Sequence, residues 1–420
     1  MNQQKMTVSE MAEEVNKMYI GGDTETAISM NEDLHMYVEN NVQNPNCVLE
    51  QVADSYSEMN AWELARNSYS CVIQSMMDNT RHCKPQNDDA LTNFLPSASF
   101  SVLEKYANVC MQLRDLTGAM RANQKCLAII RSSSLVADGP NPTSQSPIAI
   151  VDPRMPTVLS NIARIQFVNG SICDAIKVYK YCLSMQRNLI KRDSVAEANT
   201  LSVLGRIFRM LGRHRAAIDW HEEALELRTK VMGGSHMSLS SDLLAIAKIH
   251  YRLEELDLSL ATFSDCLHVL RSNPCSSTGL ISSILCNMGI ICSQLDDQRN
   301  AQGCYEEAIT TARPIVDSDP ACRPILAKSQ YYLATIRQAQ GSISMAVDCA
   351  EEAIQYGLLL EGSGDLLSIL RFLLQLYSSC EDRERVQFYS DKIAEIEHKE
   401  DDSGQRKKPR GPRSHGAPAA

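Results

Sequence analysis

Aromatic side chains are scarce in this 420-residue chain: Phe, Trp and Tyr together make up 5% of it, with two tryptophans. That supply suits neither an aromatic-lined cofactor pocket nor a strand-rich core, and the plentiful Ala, Leu, Met and Glu favour helices packed through small residues. No apolar run approaches the ~18 to 20 residues that span a bilayer. The opening MNQQKMTVSEMAEE is too polar for a secretory signal, so neither a membrane partner nor export is expected. Fifteen cysteines are present but none in a C-x-x-C spacing. They read as reduced thiols serving as small hydrophobes inside the cell, in the cytoplasm or the nucleus. Positive charge is also in deficit, with 41 Lys and Arg against 51 Asp and Glu, which argues against nucleic acid as the partner.

Catalytic motifs are missing as well. His221-Glu222-Glu223 lacks the second histidine of a zinc-protease helix, His82-Cys83 has no metal-ligand companions at suitable spacing, and no lysine follows Gly362-Ser363-Gly364 to make a phosphate loop. No nucleophile stands with an identifiable base. The expectation is a protein that is not an enzyme and carries no cofactor or metal.

What is there is a period. From Leu201 to Leu227 two amphipathic helices meet at Gly212: Leu201, Leu204, Gly205 and Phe208 form one helical stripe, and Ala217, Ala224, Leu225 and Leu227 form another. Shifting by 42 residues upstream gives Leu159, Ile162, Ala163, Gly170 and Ala175. Shifting downstream by 42 gives Leu243, Ile246, Ala247 and Glu254, then Leu285, Met288, Gly289, Asp296 and Ala301. Looser copies place turns at Gly22, Asn60, Arg114, Gly341 and Glu381, with Ala27, Ala65, Ala119, Ala346 and Val386 five residues later. About nine antiparallel helix pairs result. One pair cannot bury its stripe alone, so stacking must supply the core, and Ala or Gly at the crossings lets the backbones approach.

The implied division is hairpins over residues 1–77, a loop at 78–98, a third hairpin at 99–131 and an insertion at 132–156 rich in proline. Hairpins resume over 157–400, with a regular block at 157–313 and a charged last helix as cap. Residues 401–420 are Gly, Pro and charge-rich, and Arg406, Lys407, Lys408, Arg410 and Arg413 make them a basic tail expected to be disordered. The run Lys407-Lys408-Pro409-Arg410 looks like a short nuclear-import signal.

These positions resemble the tetratricopeptide repeat, in the 42-residue form of kinesin light chain and its relatives. The link from Leu227 to His236, LRTKVMGGSH, is similar to that family's connector, with Met237 where proline is usual. The resemblance implies an all-α, right-handed superhelical solenoid whose first helices line a concave groove for peptides. No sustained heptads precede the repeats, so a motor-subunit role is not implied.

Within that frame, Arg164, Arg206 and Lys248 recur every 42 residues, one position after the small residue of a first helix. They are expected to form a basic ladder, thickened by Arg209 and Arg252, with Asn108 at the same offset and Asn161 and Asn287 placed to grip a bound backbone. A row of cations in a concavity would steer an acidic or phosphorylated peptide toward it. The functional expectation is a scaffold or adaptor that binds partner proteins; the alternative is a regulatory or sensor subunit whose curvature changes on binding. The sequence leaves the oligomeric state open.

Overall fold

The computed structural model describes residues 7–81, 98–137, 152–273, 277–357 and 364–405. The chain is all-α: no strand occurs among the described residues. It forms two units, residues 1–213 and 214–420. The first holds α1 (Val8–Ile20), α2 (Thr24–Asn41), α3 (Pro45–Glu58), α4 (Trp62–Arg81), α5 (Ala98–Gln112), α6 (Leu116–Ala137), α7 (Met155–Val168), α8 (Ile172–Asn188) and α9 (Ser194–Met210). The second holds α10 (His214–Met232), α11 (Ser240–Arg252), α12 (Leu256–Arg271), α13 (Thr278–Gln294), α14 (Gln298–Ala312), α15 (Arg323–Ala339), α16 (Ile343–Gly357), α17 (Gly364–Ser379) and α18 (Arg383–Gln405). Odd-numbered helices are the first of each pair and even-numbered ones the second.

The turns explain why the helices stop where they do. Gly22, Asn60, Arg114, Gly170, Gly212, Glu254, Asp296, Gly341 and Glu381 all have positive φ, between 57° and 92°. A left-handed residue ends the first helix and lets the next N–H reach back to the carbonyl five residues earlier. Arg213 N donates to Phe208 O at 2.9 Å, Asp297 N to Cys292 O at 2.9 Å and Ser342 N to Arg337 O at 2.9 Å. Glycine adopts this backbone at no steric cost; the arginine and the two glutamates do not.

Five residues past each turn but the last, where Val386 stands, is the small residue of the second helix. Ala27, Ala65, Ala119, Ala175, Ala217, Ala301 and Ala346 are fully buried, and Ser259 replaces alanine while satisfying its hydroxyl on Ala247 O at 2.8 Å. Facing them on the first helices is a second set of small residues. Gly289 is the extreme case: a Cβ there would lie 2.6 Å from the ring of Tyr305. Its absence lets that fully buried tyrosine pack and stack on Tyr332 with centroids 5.5 Å apart. Each unit has its own continuous core, built around Tyr56, Tyr69, Leu64 and Ile129 in the first and Phe263, Leu270, Tyr305 and Leu373 in the second. Fully burying such a side chain contributes ~1.5 to 3 kcal/mol.

Cysteine belongs to this core. Cys126, Cys182 and Cys266, each on a second helix, direct their thiols at the carbonyl 26 residues earlier, on Phe100, Pro156 and Ser240. Burial pushes the Cys182 and Cys266 thiols up to about 11, so they sit as neutral donors and poor nucleophiles.

Several boundaries differ from the sequence expectation. α4 continues to Arg81 and α6 to Ala137, beyond the expected ends at 77 and 131. α7 begins at Met155, so Pro156 lies buried in a first helical turn instead of in the 132–156 loop. Proline fits there because a first-turn N–H has no intrahelical acceptor to lose. Residues 82–97, 138–151 and the tail from 406, with His82, Cys83, Gly362 and Ser363, lie outside the described residues.

Candidate recognition face

The first helices present the residues singled out above. In the first unit the face begins acidic. Glu50 and Asp54 of α3 bind Lys105 of α5, at 2.8 and 2.7 Å, and the Tyr69 hydroxyl donates to Asp54. Lys105 is therefore compensated, and the cluster of two carboxylates and one ammonium keeps one net negative charge. One helix further on, Asn108 of α5 accepts a hydrogen bond from Arg164 Nη2 of α7 at 3.4 Å, a neutral partner that leaves the guanidinium charge uncompensated. Asn161 is half-buried on the same helix, and Arg164 is exposed.

Arg206 of α9 is exposed and makes no ion pair with any described residue. Both Arg164 and Arg206 act on one hydroxyl, that of Tyr179 on α8. Burial pushes this phenol up to about 12, and the two guanidiniums oppose the rise. Arg209 is half-buried on the adjoining face of α9.

In the second unit, Lys248 of α11 and Asn287 of α13 come together at the mouth of a small cavity of about 80 Å³. Its floor is apolar, made by Phe263, Ile290 and Ile291, and Tyr251 completes the rim. Gln294 Nε2 donates to the Tyr251 hydroxyl at 3.0 Å and holds that ring in place. Lys248 is exposed and has no ion pair with any described residue; the same holds for Arg252, which does not line the cavity. Sequence reasoning missed Tyr251 and Gln294, which lie outside the 42-residue ladder, and missed the Glu50–Asp54–Lys105 cluster, whose spacings of 51 and 55 residues belong to the irregular repeats.

The other conspicuous polar group is internal. His221 Nδ1 lies 2.8 Å from Asp242 Oδ1, and Arg228 bonds the other carboxylate oxygen. His221 and Asp242 are each 1% exposed and Arg228 is 6% exposed. A histidine oriented by a carboxylate is the geometry of a general base, but this one is closed off and lines none of the grooves described here. It packs α10 on α11. Among the described residues, no group of three or more His, Cys, Asp or Glu is placed to hold a metal ion, and no helix is long and apolar enough to cross a membrane.

Residues 154–230 match the family model of the tetratricopeptide repeat. No curated protein matches the chain. Among solved structures, the chain is similar to nearly identical tetratricopeptide-like repeats of a putative kinesin light chain from Podospora anserina, at 13% identity and a TM-score of 0.40. That likeness covers 50% of this chain and 99% of the other. It is also similar to part of a repeat-containing protein from Cytophaga hutchinsonii, at 14% identity and a TM-score of 0.48 over 74% and 96% of the two chains. A signal-transduction ATPase with a tetratricopeptide repeat sensor, from Pyrococcus horikoshii, is 16% identical with a TM-score of 0.47 over 72% and 46%.

Proposed function

We propose that this tetratricopeptide repeat protein is a non-enzymatic scaffold or adaptor whose first-helix face holds an acidic or phosphorylated segment of a partner protein. Repeats of this family mediate protein–protein interaction; the acidic ligand is the finer reading. The observation that carries it is the state of the cations. Lys105 is consumed by two carboxylates, whereas Arg164 is met only by neutral Asn108, and Arg206 and Lys248 pair with no described residue. Uncompensated guanidinium groups on one face favour an anionic ligand, and their planar forks suit carboxylate or phosphate bidentately. Within the second unit, Lys248 stands as a separate point charge beside an apolar recess that would admit an aliphatic side chain. The hairpins of residues 1–77, 99–131 and 157–400 form the body of this scaffold in the same reading. Its free, largely buried thiols suit a reducing compartment, the cytoplasm or the nucleus.

A peptide array tests the proposal. Acidic and phosphoserine peptides should be retained over basic and scrambled controls. Arg164→Glu with Arg206→Glu should abolish retention while leaving the melting temperature within about 2 °C of wild type, since both side chains are exposed. Equal retention of basic peptides would refute the acidic ligand.

A further inference from the structure

The second unit carries a groove of about 400 Å³ between two second helices, α14 and α16, with Gln330, Leu333 and Arg337 of α15 as its floor. Gln330 is 3% exposed, and its Nε2 donates to Glu352 Oε2 at 2.6 Å. A carboxylate only accepts, so the amide is held in one orientation and Oε1 is left as a buried acceptor with no donor. Beside it, Leu333 and Ile309 are buried and give the groove an apolar strip.

The charges around that oxygen do not balance. Glu352 is paired with Arg313; Arg337 donates to Cys349 Sγ at 2.9 Å and stands 3.8 Å from Glu306 Oε1. Asp348, which also lines the groove, is exposed and pairs with no described residue. Three carboxylates therefore face two guanidiniums that are already engaged. One surplus negative charge and one missing hydrogen-bond donor share the groove.

Those two deficits select a ligand. An anion meets the surplus carboxylate, and an apolar side chain leaves both needs unmet. An ammonium brings charge as a compact, strongly hydrated point. A guanidinium is more weakly hydrated and spreads its donors around a plane, so one edge serves a carboxylate while another N–H reaches an amide oxygen. The methylene stem behind it packs on an apolar strip such as that of Ile309 and Leu333. We propose that the α14–α16 groove is a binding site for an arginine side chain of a partner protein, its guanidinium pairing with Asp348 and donating to Gln330 Oε1. The ligand is opposite in sign to the one assigned to the first-helix face, and the site stands independently of that reading.

A single side-chain contact is too weak to hold a basic peptide on a washed array, so covalent capture in solution by the full-length chain tests the site. The probe is acetyl-Ala-Arg-Bpa-Ala-amide at millimolar concentration, Bpa being the photoreactive p-benzoylphenylalanine. Adducts should fall on residues 306–313 or 345–352. The same peptide with citrulline in place of arginine, equal in shape but uncharged, should be captured about tenfold less, the worth of one charge-assisted bond. A lysine peptide should fall between the two. Asp348→Asn should bring arginine capture down to the citrulline level and melt as wild type does, because Asp348 is exposed and unpaired. Gln330→Met, which removes the amide oxygen, should level arginine with lysine. Adducts on other helices, equal capture of the arginine and citrulline peptides, or capture indifferent to Asp348 would overturn the proposal. Retention of acidic peptides should be unchanged in Asp348→Asn, so the two readings fail separately.

Discussion

Two junctions in the second unit occupy equivalent places 42 residues apart and are built from opposite chemistry. Where α12 meets α13, Phe263, Leu270 and Ile284 close the contact and are 2%, 0% and 0% exposed. Where α10 meets α11, the same positions hold His221, Arg228 and Asp242, equally buried and bonded to one another. A stacked spine therefore tolerates a closed polar triad in place of three apolar side chains, provided the triad's members satisfy each other. The exchange carries a cost: His221 Nδ1 is taken up by Asp242, and Nε2 is left buried with no hydrogen-bond partner. What the triad supplies is direction. Apolar faces slide on one another more readily than a carboxylate shared between two fixed donors, so the polar junction is expected to hold the register of α10 on α11.

The largest test of that contrast is Asp242→Ile alone, which strands Arg228 as an unpaired buried charge. Urea denaturation should show a loss of ~3 to 5 kcal/mol, whereas the reverse exchange at Ile284 would fail for the same reason.

A second buried imidazole sharpens the comparison. His35 meets only the Ser68 hydroxyl, at 2.8 Å, and burial pushes it down to about 4. Its folded pKa lies below the unfolded ~6.5, so the unfolded chain binds the extra proton; the contribution is complete above pH ~6.5 and is lost as pH falls through about 4. His35→Leu should flatten the stability profile over that window by up to ~3 kcal/mol.

The wholesale exchange should act in the opposite direction. His221→Phe, Arg228→Leu and Asp242→Ile together copy the α12–α13 junction and should be neutral or stabilising by ~1 to 4 kcal/mol. A triple variant as unstable as Asp242→Ile would show that the two junctions are not equivalent. The smallest effect comes from the turns on either side of α12 and α13. Glu254→Gly and Asp296→Gly relieve positive φ values of 61° and 62° and should each gain ~1 kcal/mol in thermal unfolding.

Much of this architecture was legible from residue spacing. Each turn residue named from the sequence, from Gly22 to Glu381, adopts the left-handed backbone, because small or polar residues before a recurring alanine reveal the helix end even when glycine is absent. The triad was not legible. A histidine in a slot otherwise filled by Tyr179, Phe263 and Tyr305 is consistent with packing, and only the fold shows that positions 7 and 21 residues later are polar for the same reason. Long helices hid the loop edges, since a segment of good helix formers such as the end of α4 carries no stop signal. On the recognition face, periodicity located Arg164, Arg206 and Lys248, but their charge state depends on neighbours from other helices. Lys105, on α5, is already paired with Glu50 and Asp54.

Hydrogen exchange on the complex with an acidic peptide retained by the array tests the recognition claim most directly. Protection is predicted on α7 and α9, around Arg164 and Arg206, with α8 exchanging as in the free protein. Protection confined to the second helices would contradict it.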